Sequence, residues 1–154
     1  MKTHHLIQGL RLACGFVIAL GITTAINYPD ASWVIISIVV VLSTSHEQRA
    51  VMMKALQRVA GTLSGLILGM VGLWLAQFSM ALLLAYMFIV ILVVGSLMHG
   101  RFAYIAIVAG ITLAVISAHV NDWHAGLWRA MNVSIGAMVG SLIALAIPYP
   151  SEVK

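Results

Sequence analysis

The chain alternates between apolar runs of about 20 residues and short polar breaks, and this pattern constrains its fold more than any other feature. A run of that length crosses the hydrocarbon core of a bilayer as an α-helix. Only 8% of the 154 residues are charged, whereas a typical soluble domain carries about 25%. A soluble globular fold is therefore excluded. Six spans would use about 120 residues, which leaves little room for a large catalytic or nucleic-acid-binding domain.

The polar breaks divide the chain into six predicted transmembrane helices, so the expected fold is all-α and integral to the membrane. The second apolar run contains the β-branched stretch 34–41. A lone strand in lipid would leave its backbone groups unpaired, so a helix is expected there as well. The polar segment 46–58 is either an extension of the third helix or an interfacial segment. The predicted spans are about 6–27, 33 to at least 41, 59–76, 80–97, 102–118 and 127–147.

The net charge of +4 indicates membrane orientation more than an affinity for nucleic acid. Lys and Arg accumulate in cytoplasmic loops of membrane proteins. Placing both termini inside puts Asp30 and Asp122 outside, and it makes six basic residues cytoplasmic: Lys2, Arg49, Lys54, Arg58, Arg101 and Lys154. We therefore expect an N-in/C-in topology. One alternative is that the first run is a signal peptide cleaved near residues 23–25.

An internal repeat argues against the signal peptide. Three residues of the third span recur 71 positions later in the last span, and the pairs are Arg58 with Arg129, Gly65 with Gly136, and Gly69 with Gly140. Each half, about 6–76 and 80–147, then holds three spans. An odd number of spans gives the halves opposite orientations, and the first span becomes part of a repeat. Inverted repeats are typical of transporters whose site lies between the halves near the midplane.

Glycines at four-residue spacing lie on one face of a helix and let two helices approach closely. The chain has two such runs, formed by Gly61, Gly65 and Gly69 and by Gly136 and Gly140. The plain interpretation is helix packing. A helix that lines a permeation path is the alternative, and both roles can coexist.

The arginines suggest a binding site for an anion. In the inverted repeat, Arg58 and Arg129 fall at opposite ends of matching spans, where two cations would attract an anionic solute. The alternative is that they snorkel to the interface, and Arg11 either snorkels or faces a polar cavity. No carboxylate lies within a span, so the commonest intramembrane proton relay is missing. The candidate substrate-binding residues are Arg11, Arg58, Arg129, Trp33, Ser37, Thr62, Thr112 and Asn132.

Enzyme chemistry finds no support in the sequence. There is no Gly-rich phosphate loop, HExxH motif or nucleophile elbow. His119, Asp122 and His124 do not share one helical face, so no metal site is expected. We predict no catalytic residue, no metal and no cofactor.

The order of the motifs resembles the fusaric-acid-resistance-like family, an integral membrane bound transporter domain related to aromatic acid exporters. Four pieces carry the resemblance: Leu10-Arg11-Leu12-Ala13, Tyr28-Pro29 followed by Trp33, the block 58–65, and Arg129 with Gly136 and Gly140. The resemblance implies a six-helix module in the bacterial inner membrane that exports small organic anions. Two features depart from the family pattern. Ser43-Thr44-Ser45 stands where a proline is common, and the large cytoplasmic domain of many members is missing.

Members of that family commonly pair two modules, so we expect at least a homodimer, with a periplasmic adaptor or a second membrane module as a further partner. The leading hypothesis is export of aromatic or carboxylic anions through a path between inverted halves or at a dimer interface. A passive anion channel is one alternative. A non-transporting scaffold or regulatory subunit of the membrane is another.

Overall fold

A computed structural model describes residues 2–43, 47–118 and 123–147. Six α-helices and one short 3-10 turn account for nearly all of them, and these residues include no strand. The expected all-α fold of six apolar helices is confirmed. The helices are α1 Lys2–Ala25, α2 Ala31–Ser43, α3 Gln48–Ala76, α4 Met80–Ser96, α5 Ala103–Ala118 and α6 Trp123–Ala146, with the 3-10 turn at Gly100–Phe102.

Helix length distinguishes four of these elements from the other two. The segments Leu6–Ala25, Gln48–Ala76, Gly100–Ala118 and Gly126–Ala146 are long and apolar enough to cross a membrane, whereas Ala31–Ser43 and Met80–Ser96 are shorter apolar helices. Thirteen residues in α2 make about 20 Å of helix, against a hydrocarbon core of about 30 Å. The described residues thus form six helices, and four of these have the full length of a span.

The structure supports one of the two interpretations of segment 46–58, an extension of the third helix and not a separate interfacial segment. From Gln48 onward it is the first part of α3, which continues unbroken for 29 residues to Ala76. The segment is therefore a helical extension of the third span.

Local chemistry explains the turns between the helices. Asn27 and Asp30, on either side of the α1–α2 turn, have positive φ angles of 48° and 52°, a conformation that Asn and Asp tolerate better than most residues. Ser79 is the N-cap of α4, and its side chain accepts a hydrogen bond from the backbone N–H of Ala81. Such a cap satisfies one of the free N–H groups of the first helical turn.

The contacts divide the chain into two compact units. Unit 1 comprises Met1–Leu56 and Asn132–Lys154, and unit 2 comprises Gln57–Met131. The units do not coincide with the sequence halves 6–76 and 80–147. Unit 1 combines α1 and α2 with most of α6, and unit 2 combines α4 and α5 with most of α3. Each unit thus takes its glycine-rich helix from the other half of the chain.

In unit 2, α3 packs directly on the backbone of α5. A Cβ atom at Gly61 would lie 2.7 Å from the carbonyl oxygen of Ile105 and 2.8 Å from the Cβ of Val108. At Gly65 it would lie 2.5 Å from the carbonyl oxygen of Ala109. Positions rise together along both helices, so α3 and α5 run parallel. At these glycines α3 therefore approaches the backbone of α5 closely.

In unit 1, α6 packs on α2 in the same way. A Cβ atom at Gly136 would collide with the carbonyl oxygen of Val34, and it would lie 2.6 Å from the Cβ of Ser37. At Gly140 it would lie 3.3 Å from a methyl group of Val41. This pair of helices is parallel too.

The two packings give a different register between α3 and α6, the third helix of each predicted half, from the one expected from the sequence. The contact positions on α5 follow those on α2 by 71 residues, as the sequence predicts, but the glycines that meet them, Gly61 and Gly136, are 75 residues apart. The unit boundaries at Leu56 and Met131 are also 75 apart. The predicted pairing of Gly65 with Gly136 is therefore one helical turn out. A shift of four residues keeps glycines on the same face, so their spacing alone does not reveal it.

Candidate functional site

Every polar side chain that the sequence marks as a candidate contact is buried. Trp33 is half-buried. The buried ones are Arg11, Ser37, Arg58, Thr62, Thr112, Arg129 and Asn132, with exposures between 0% and 7%. Burying charged and polar groups is costly unless they are hydrogen-bonded. The partners of each side chain therefore indicate its role.

Arg58 and Arg129 both reach α5 within unit 2. Nη1 of Arg58 donates to the hydroxyl of Tyr104 at 3.3 Å, and Nε of Arg129 donates to Oγ1 of Thr112 at 3.4 Å. The Thr112 hydroxyl in turn donates to the carbonyl oxygen of Val108 at 2.9 Å. The two arginines are thus held by one helix.

The two residues that hold the arginines lie at different levels of α5. Tyr104 and Thr112 are eight residues apart, or about 12 Å along the helix, and Thr112 lies in the middle of α5. Arg58 and Arg129 are 7% and 3% exposed, so both guanidinium groups belong to the interior of unit 2. The sequence predicted opposite mouths of a path across the membrane. In the structure both arginines are buried in unit 2 and bond to α5, and their placement relative to the membrane stays a prediction.

Thr62 lies one turn after Arg58 on the same face of α3. It is 1% exposed, and its hydroxyl has no hydrogen-bond partner among the described residues. Leu66, one turn further on, packs with Ile116 and with Ala130, the neighbour of Arg129. The face of α3 that carries Arg58 and Thr62 is therefore directed toward the beginning of α6.

Arg11 lies in unit 1 and contacts the end of α6. Its Nε donates to the carbonyl oxygen of Ile147 at 2.7 Å, and Nη2 donates to that of Ala144 at 3.3 Å. The last carbonyl groups of a helix have no partner within the helix, and a cation near them is favourable. Arg11 thus caps the C-terminal end of α6 from α1. These contacts account for its complete burial without a solute.

Asn132 fastens the α1–α2 turn to α6 within unit 1. Its Oδ1 accepts from the hydroxyl of Tyr28 at 2.9 Å, and its Nδ2 donates to the carbonyl oxygens of Asp30 at 3.2 Å and Pro29 at 3.5 Å. The sequence singled out Tyr28-Pro29 as a motif but did not connect it with Asn132. The pairing spans 104 residues, so only the tertiary structure reveals it.

Of the remaining candidates, Ser37 takes part in helix packing, and Thr112 is the partner of Arg129. The Ser37 hydroxyl donates to the carbonyl oxygen of Trp33 at 2.8 Å, and its Cβ packs beside Gly136. Tyr104 was not among the predicted site residues. Its only sequence signal is its position 71 residues after Trp33.

An apolar cavity of about 140 Å³ lies in unit 1 beside the α1–α2 turn. Its lining includes Ile18, Ile22, Val34 and Ile38. The lining residue Thr23 donates its hydroxyl to the carbonyl oxygen of Ala19 at 2.7 Å. Tyr28, which also lines it, bonds to Asn132. The cavity therefore offers apolar contact only.

Metal ligands do not cluster in the part of the chain that the structure describes, where no group of three or more His, Cys, Asp or Glu side chains comes together. Of the group His119, Asp122 and His124, for which no metal site is expected, His119 and Asp122 lie outside the described residues.

Six apolar helices, four of full spanning length, define a multi-pass integral membrane protein. The chain belongs to the fusaric acid resistance protein-like family, whose model matches residues 15–143. It is 27% identical over 142 residues to the inner membrane protein YeeA of Escherichia coli (strain K12). This alignment covers 92% of the chain but only 40% of that relative. No solved structure matches the chain. The predicted family and inner-membrane location are confirmed, and membership is consistent with a role in transport.

Proposed function

We propose that this chain is a transporter module that exports small organic anions, and that Arg58 and Arg129 provide its anion-binding charges. The observation that carries the proposal is that two buried arginines, Arg58 and Arg129, bond to the same helix, α5. The name of the family, which refers to resistance to an organic acid, agrees with a solute of this class.

Electrostatics supports an anion at this position. Burying a charge is expensive, and two charges of the same sign add their mutual repulsion to the desolvation cost. None of the six helices contains an Asp or Glu within its described bounds, so the helices supply only positive charge. A carboxylate between the guanidinium groups would offset the repulsion and accept charge-assisted hydrogen bonds.

The proposal includes an N-in/C-in topology and an export path between inverted repeats or at a dimer interface. Support for the repeat comes from the shared mode of packing, α3 on α5 and α6 on α2, each parallel and each through glycines. Support for the topology comes from the predominance of Lys and Arg in the predicted cytoplasmic segments. We also propose that the chain acts as at least a homodimer, with a periplasmic adaptor or a second membrane module as its partner.

Flux measurements in liposomes test the proposal. The variant Arg58→Gln with Arg129→Gln removes both charges, and Arg49→Gln with Arg101→Gln removes two exposed ones as a matched control. We expect the first variant to lose at least about tenfold in flux of benzoate or succinate, because one hydrogen bond to a charged group contributes about 1.5–3 kcal/mol. The control keeps its flux.

Three outcomes separate the alternatives. Equal flux in the two double variants would refute the role of the arginines. No anion flux at all in the wild type, with stable co-purification of another membrane protein, would favour the scaffold. A current that follows the anion gradient alone would favour the passive channel.

A further inference from the structure

We propose that the Thr62 hydroxyl is a hydrogen-bond donor held ready for a carboxylate oxygen of the transported anion. This inference rests on the proposed anion site. It adds a neutral donor that determines specificity for oxygen-bearing anions, beside the two charges.

The behaviour of the other buried hydroxyl residues makes Thr62 an exception. Ser and Thr inside a helix usually donate to the carbonyl group three or four residues earlier. Four of the five buried Ser and Thr residues that the structure describes do so, namely Thr23, Ser37, Thr112 and Ser141. The Thr62 hydroxyl has no partner of this kind. Its conformation therefore leaves the donor unused.

The position of Thr62 connects this unused donor with the arginines. Along the parallel packing of α3 on α5, Gly61 lies against Val108, and Gly65 lies against Ala109 and Thr112. Thr62 is thus at a level between Tyr104, which holds Arg58, and Thr112, which holds Arg129. A ligand that bridges the two guanidinium groups comes to the level of this hydroxyl.

The cost of the unused donor supports a function. A buried polar group without a partner costs about 1–3 kcal/mol, and valine has almost the same shape as threonine. Thr62→Val replaces the hydroxyl group with a methyl group of similar size. The empty protein becomes more stable, whereas the complex with a carboxylate loses a hydrogen bond. A threonine that only packs would not show these opposite effects.

The experiment uses the full chain in nanodiscs, with benzoate and succinate as probes. Binding is measured by isothermal titration and stability by thermal unfolding without ligand. The variants are Thr62→Val and Thr62→Ser, with Thr23→Val as an isosteric control at a buried hydroxyl that is bonded within its own helix. We expect Thr62→Val to raise Tm and to weaken binding roughly tenfold or more. We expect Thr62→Ser to keep most of the affinity, and Thr23→Val to leave binding unchanged.

The outcomes distinguish this inference from the proposed function. Unchanged affinity in Thr62→Val, together with weak binding in the double arginine variant, would overturn the role of Thr62 and leave the anion site standing. A lower Tm in Thr62→Val would show that the hydroxyl has a partner in the empty protein, which also overturns the inference. Wild-type affinity in both variants would refute the proposed function itself. Thr62→Ala serves the same comparison if the valine variant does not fold.

Discussion

Gly65 lies where α3 packs on the backbone of α5, and replacing it with alanine tests whether this approach stabilises unit 2. The added Cβ atom would lie 2.5 Å from the carbonyl oxygen of Ala109 and 2.7 Å from the Cβ of Thr112. Ordinary contact begins near 3.4 Å, and Cβ contacts under 3.0 Å are essentially absent from real structures. The two helices must therefore separate by at least about 0.5 Å at this point.

The size of the effect follows from two opposing terms. Alanine is a better helix former than glycine by about 1 kcal/mol in a helix interior. Overpacking a close contact costs about 1–3 kcal/mol, and here backbone atoms must move in addition to a flexible side chain. Gly95 on α4, in the same unit, has open space around it, so Gly95→Ala gains the first term without the second. We expect Gly65→Ala to be less stable than Gly95→Ala by about 1–3 kcal/mol.

Equilibrium unfolding with increasing SDS in mixed micelles, followed by circular dichroism, measures the free energy of unfolding of both variants. Because Thr112 lies against Gly65 and also accepts from Arg129, Gly65→Ala should in addition weaken anion binding. If Gly65→Ala proved as stable as Gly95→Ala, the close packing of α3 on α5 would be refuted as a source of stability.

Two further predictions concern unit 1. Asn132→Ala should destabilise the protein by about 2–3 kcal/mol because three hydrogen bonds to the α1–α2 turn are lost, whereas Tyr28→Phe, which loses one, should cost about 1 kcal/mol. In thermal unfolding the double variant should cost less than the sum of the single ones, and strict additivity would argue against the pair. Arg11→Gln should speed amide hydrogen exchange in the last turn of α6, measured by mass spectrometry, while benzoate affinity stays unchanged. Loss of that affinity with normal exchange would return Arg11 to the solute site.

Much of the fold could be predicted because the bilayer imposes a simple rule. Apolar runs of spanning length must become helices, since lipid offers no partners to backbone groups. The C-terminal ends of α3, α4 and α5 follow from polar breaks such as Gln77-Phe78-Ser79, and they agree with the prediction within about one residue. The length of α2 was harder to predict. Its β-branched run indicates where an apolar helix lies, but it does not show whether that helix is long enough to span the membrane.

The candidate site was predictable as a set of residues but not as an arrangement. Scarcity pointed to Arg11, Arg58 and Arg129, because an arginine inside an apolar run calls for an explanation. The three have similar sequence surroundings, yet Arg11 caps α6 while each of the other two bonds to a residue of α5. Tyr104 and the link from Tyr28 to Asn132 were missed, since neither leaves a local signal.

By itself, the sequence determined that this chain is an all-helical membrane protein of six apolar helices. Composition and the spacing of polar breaks are local properties. Because lipid offers no hydrogen-bond partners to the backbone, apolar runs of spanning length must form helices. Only the tertiary structure decided which helices share a unit, the one-turn shift between the third helices, and which arginine meets which partner. Packing brings together residues from distant parts of the chain. A shift of four positions keeps the same residues on a helix face, but it changes which residues of the neighbouring helix they contact.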